Sequence, residues 1–139
     1  MDWRTLSRWE RVAVVVILLA AVFTRFYILG DRVMSHDEAL HTKFSWYLYS
    51  GSGYRHNPMM HGPLLFHMTA LNYFLFGVND YVARIFPAVL GVALVLSPFL
   101  FRRWLGRGGA LIASVLLLIS PSISYYNRYI RHDTPNMLV

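Results

Sequence analysis

Cysteine is absent from the 139 residues. That removes disulfides, thiolate metal sites and a cysteine nucleophile, and leaves the compartment faced by the loops open. Charge is also scarce. Only 14% of the residues are Asp, Glu, Lys or Arg, against 56% apolar and 16% aromatic, too little polar surface to cover a water-soluble domain of this size. Acids are the scarcer sign, 7 against 13 bases, for a net charge of +6. A basic balance can mark a nucleic-acid binder, but these arginines flank apolar runs and form no polar basic stripe, so membrane orientation accounts for them better. No internal repeat and no low-complexity tract divides the chain.

What is present is length of apolar sequence. Residues 12–29, 81–101 and 108–126 are each long enough for a membrane span, which needs about 17–25 residues. The first run is longer than a signal-peptide core and lacks an A-x-A site after it, so it reads as a retained anchor. Arg4, Arg8 and Arg11 precede it, and Arg102, Arg103 and Arg107 fill the link between the other two. Both clusters belong on the cytoplasmic side. The expected architecture is therefore all-α and polytopic: three transmembrane helices, an outer loop at 30–80 and a second outer segment from 127. All six histidines and five of the seven acids then share the outer face.

Two short interfacial helices are expected in the first outer loop. Over 36–50, Asp37, His41 and Ser45 recur at spacing four while Leu40, Phe44, Tyr47 and Leu48 take another side, an amphipathic pattern. Gly51 and Gly53 end it. Pro63 opens an apolar segment over 64–76, too short to cross. Asn79 or Asp80 can cap the next helix.

The chemistry-bearing residues gather in M-S-H-D-E-A-L-H, residues 34–41, just past the first span. A carboxylate held beside lipid can act as a general base toward a hydroxyl or amide. Asp37 is the first candidate and Glu38 the second, although Asp37 is equally placed to cap a helix beginning at Glu38. Arg25, inside the first span, is either functional or snorkels to the outer headgroups. Arg128 and Arg131 offer planar forks for a phosphate or pyrophosphate, and Asp133 can orient a base or hold a metal. Glu38 and His41 make a single E-x-x-H unit where a di-iron bundle needs two, and the pairs His36/His41 and His56/His61 are spaced five apart, wrong for a helical zinc pair. Mg²⁺ or Mn²⁺ on Asp37 or Asp133 stays open.

Taken in order, T-R-F-Y-I-L-G from Thr24, H-D-E from His36, Arg84 followed by Pro87 and Gly91, and R-Y-I-R-H-D from Arg128 resemble the protein O-mannosyltransferases and related C-type (GT-C) membrane glycosyltransferases. The Arg84 element carries one extra residue before its proline. H-N-P-M-M-H-G-P at residues 56–63 is closest in kind to the flippase activity-associated membrane proteins of that superfamily. The resemblance implies inverting transfer of a sugar from a polyprenyl-phosphate carrier to an acceptor at the extracytoplasmic face, with Asp37 as base. It implies that Arg25, Arg128 and Arg131 stabilise the phosphate leaving group, and that His36, His61, Arg84 and Asp133 also contact substrate. Members have more spans than three, so an N-terminal piece, inactive alone, is expected. A lipid or lipid-linked-sugar transporter subunit and a purely structural subunit are the alternatives.

Overall fold

The computed structural model describes residues 7–53 and 62–138, and these are all helix and connection. In chain order the helices are α1 (Arg8–Phe26), α2 (His36–Tyr49), α3 (Leu64–Phe76), α4 (Asp80–Ala83), α5 (Ile85–Leu96), a 3₁₀ turn (Ser97–Phe99), α6 (Arg102–Ile119), α7 (Pro121–Tyr126) and α8 (Asp133–Leu138). α1 packs on α5 and α6, and α2 on α3.

α1 starts where Ser7 and Glu10 cap each other: the Glu10 amide donates to Ser7 Oγ at 3.3 Å and the Ser7 amide to Glu10 Oε2 at 2.8 Å, a reciprocal box that satisfies two amides the helix cannot. Glu10, Val14, Ile17, Ala21 and Arg25 form its buried stripe, three or four residues apart as one helical face requires. Val14, Ile17 and Ala21 meet Val95, Phe99 and Ala110 in one core cluster; Leu65, Tyr73, Val82, Ala83 and Ile130 form another. α1 stops at Phe26, short of the expected 29, because Ile28 takes a left-handed φ of 45°, a conformation in which a β-branched residue is strained.

The three expected spans do not appear as three straight helices. No single described helix is long and apolar enough to cross a membrane; the pair Ile85–Phe99 and Arg102–Ile119, bent by 118°, has the length and composition together. Charge explains the first case: Arg8, Glu10, Arg11 and Arg25 bracket the apolar part of α1. In the second, the expected run from 81 is divided at Arg84, which ends α4 and precedes α5. The 3₁₀ turn before α6 holds Pro98, which cannot donate a backbone bond, and α6 itself is kinked at Gly106, φ 71°.

Polar and charged side chains share the interior with the apolar clusters, and apolar side chains are exposed on the helices. Arg25, Glu38, His41, Arg84, Asn127 and Thr134 are buried, while Val12, Val16, Leu19 and Phe23 line an exposed side of α1 and Ile112, Leu116 and Ile119 one of α6. Apolar faces of that extent are unusual against water. At one end Arg102 donates to Glu10 Oε1 at 2.7 Å and Arg107 lies 3.8 Å from it, so the start of α1 and the basic start of α6 meet; Arg4 lies outside the described residues. The Ser7 amide, Arg102 and the Ser7 hydroxyl hold the Glu10 carboxyl down at about 2.

Candidate active site

At the opposite end of α1, the head of α2 is built by a second capping box. Ser35, and not Asp37, is the N-cap: its Oγ accepts from the Glu38 amide at 3.4 Å, and Glu38 Oε2 accepts from the Ser35 amide at 3.2 Å. This corrects the expectation that Asp37 caps the helix.

Capping brings Glu38 inward, where it is fully buried. Its Oε1 accepts from Arg84 Nε at 3.1 Å and from the Ile130 amide at 3.3 Å; its Oε2 accepts from Arg32 Nη2 at 2.8 Å and from Arg84 Nη2 at 3.4 Å. A buried carboxylate survives only with such compensation. Arg84, also fully buried, spends its remaining donors on the Leu29 and Arg32 carbonyls at 3.0 and 2.9 Å. One ion pair thereby joins the end of α1, the head of α2, the start of α5 and the second outer segment.

Asp37 stands one residue before this lock, exposed and without a hydrogen bond or ion pair to any described residue. His36 is exposed beside it. His41 lies on the buried polar stripe of α2 with Glu38 and Ser45, its ring tilted against Phe66 and edge-on to His132 with centroids at 5.0 and 5.6 Å. The stripe that packs inward is thus the polar one, and Leu40 and Trp46 face out. His61 lies outside the described residues.

Arg25 is fully buried. Its Nη1 donates to Thr24 Oγ1 at 2.7 Å and to the Leu118 carbonyl at 3.2 Å, and its Nη2 to the Leu117 carbonyl at 3.1 Å, so its charge closes the C-terminal turn of α6, where unpaired carbonyls gather. Arg128 Nη2 donates to the Tyr27 and Ile28 carbonyls at 2.8 and 3.1 Å. Arg131 pairs with Asp133 at 3.5 Å, both partly exposed. Among the described residues no three acidic or histidine side chains come together to hold a metal ion.

Arg32 was not anticipated. Its guanidinium joins Glu38 to the Tyr125 hydroxyl, 3.1 Å from Nη1, and lies over the Tyr125 and Tyr129 rings at 5.1 and 4.9 Å. Tyr129 and Ser35 are hydrogen-bonded through their hydroxyls. Beside them a groove of about 430 Å³ opens, lined by Ile28, Leu29, Asp31, Arg32, Ser124, Tyr125 and Arg128. The Ser35-x-x-Glu38 spacing was the signal that would have placed the cap at Ser35 and engaged Glu38 in it.

These features define a helical protein with a buried ionic anchor beneath a polar, outward-facing site. The chain belongs to the dolichyl-phosphate-mannose-protein mannosyltransferase family, whose profile matches residues 60–139. The matched stretch includes Arg84, Arg128, Arg131 and Asp133, and leaves Arg25, Asp37 and Glu38 to the motif resemblance. No curated protein and no solved structure matches the chain.

Proposed function

We propose that this chain forms the catalytic outer face of an inverting GT-C glycosyltransferase that uses a polyprenyl-phosphate-linked sugar, within the flippase activity-associated group. Asp37 takes the proton from the acceptor. The acceptor atom attacks the anomeric carbon from the side opposite the phosphate, the sugar–phosphate oxygen bond breaks, and polyprenyl phosphate leaves with the electron pair. Arg128 and Arg131, on the outer segment, meet the phosphate charge. Arg25 and Arg84 act from beneath, holding α6 and α2 in place, and Glu38 is a positioning residue, since its oxygens already accept from Arg32, Ser35, Arg84 and Ile130. Exposed apolar faces on α1 and α6 suit lipid, with the Glu10–Arg102 end cytoplasmic.

The observation that carries this reading is the contrast between neighbours: Glu38 is locked and Asp37 is open on the same rigid turn. Mass spectrometry tests it. Full-length protein in membranes, given polyprenyl-phosphate-linked sugars with and without Mg²⁺, is expected to yield a glycosylated acceptor and free polyprenyl phosphate. Movement of the intact donor between leaflets with no product would favour a transporter instead.

A further inference from the structure

The end of the molecule away from the site gathers, among the described residues, five arginines around one carboxylate: Arg8, Arg11, Arg102, Arg103 and Arg107 near Glu10. Arg102 is held by Glu10 at 2.7 Å. Arg8 and Arg103 are exposed and have no hydrogen bond or ion pair with any described residue. Arg107, its side chain 70% exposed, approaches Glu10 only through Nε at 3.8 Å, so both its terminal nitrogens are open. The apolar side chains between these arginines are equally bare: Trp9 is 83% exposed and Trp104 76%, and Leu100, Phe101 and Leu105 are exposed with them.

We propose that this surface binds the anionic headgroups of phospholipids in the cytoplasmic leaflet, with Arg103 and Arg107 meeting the phosphates and Trp104 set at headgroup depth. Three observations carry this. The backbone presents the rings outward: the pair Ile85–Phe99 and Arg102–Ile119 is bent by 118°, Gly106 at φ 71° separates the turn at 102–105 from the rest of α6, and Phe101 and Trp104, with ring centroids 6.0 Å apart, stand outside the core of Val14, Phe99 and Ala110. The Glu10–Arg102 ion pair fastens the start of α1 beside this turn, which brings the segment carrying Trp9 to the same end. Charge complementarity names the occupant, because one carboxylate leaves the five arginines in large excess. A leaflet offers both halves at once: phosphates for the guanidinium forks, and a boundary where an indole can face acyl chains with its ring and water with its N–H. Basic residues beside such a surface are drawn to anionic lipids in preference to zwitterionic ones. The inference rests on the membrane orientation proposed above and not on sugar transfer.

Tryptophan fluorescence is the test. Full-length protein is placed in phosphatidylcholine nanodiscs containing increasing fractions of brominated phosphatidylglycerol or, separately, brominated phosphatidylcholine, and the signal lost in Trp104→Phe isolates that ring. Trp104 is expected to be quenched at a fraction of the anionic lipid about fivefold or more below that of the zwitterionic one, since each arginine contributes about fivefold, and the preference should shrink in high salt. Arg103→Ala combined with Arg107→Ala should bring the ratio close to one, while Arg103→Lys with Arg107→Lys, which keeps the charge, should hold most of it. Equal quenching by the two lipids overturns the inference and leaves the membrane orientation standing. A preference unchanged in the double alanine variant overturns the assignment to these arginines; if that variant does not fold, a preference unchanged in Arg103→Ala alone does so. No quenching by either lipid removes the inference together with the orientation it rests on, and leaves the chemistry proposed at Asp37 to its own test.

Discussion

The arginines were the hardest residues to assign and the most informative once placed. Arg84 donates to Glu38, Leu29 and Arg32 at once, a set that only a planar fork can reach. Arg84→Ala leaves Glu38 buried with part of its compensation gone, and should cost about 3–5 kcal/mol, measured by denaturation in detergent; Arg84→Lys should recover little. Residue type was readable in the sequence, but partnership was not. Arg25 was expected to be functional or to snorkel, yet its acceptors are carbonyls of Leu117 and Leu118, more than ninety positions away, which no local pattern reveals. The Ser35–Glu38 box was local and readable, and was masked by giving the cap to Asp37.

At the scale of elements, α2 ends one residue before the expected 50, α3 spans the expected Leu64–Phe76, Gly51 and Gly53 take positive φ, and Asn79 caps α4 with its Oδ1 2.8 Å from the Val82 amide. Turn and cap chemistry is written in short stretches, which is why it could be read. The inward face of α2 could not, because the pattern rule assumes water outside and oil inside. Contact between α5 and the second outer segment depends on Gly91, where a Cβ would lie 2.5 Å from Asn127 Cβ. Gly91→Ala should therefore destabilise by about 1–3 kcal/mol through overpacking, visible as a lower thermal midpoint. At the opposite end Glu10 ties α1 to α6. Its pKa is lowered from 4.5 to about 2, so its stabilisation is fully present above the unfolded value and disappears as pH falls through about 2. The stability advantage of wild type over Glu10→Gln should shrink along that acid limb, and an advantage independent of pH would contradict the linkage.

For the whole molecule, composition led to the right class, all-helical and rich in outward apolar surface, while the count of three straight spans did not follow, since Arg84 divides the run from 81 and Ser120 the run from 108, both of which hydropathy treats as continuous. The proposed orientation places the loop near Ser52 outside and Leu105 inside. The chain has no cysteine, so each introduced thiol is its own reporter. Ser52→Cys should react with an impermeant reagent from outside, and Leu105→Cys should not; the opposite pattern would reverse the orientation.

The proposed chemistry rests on one carboxylate, Asp37. Because Ser35 caps α2, Asp37→Asn removes a base without removing a cap, and thermal stability should be unchanged. The decisive measurement is sugar transfer from a polyprenyl-phosphate-linked donor by full-length Asp37→Asn protein at normal expression. The account predicts a rate lower by about 10² to 10⁴ with donor binding retained, and transfer at the wild-type rate would contradict it.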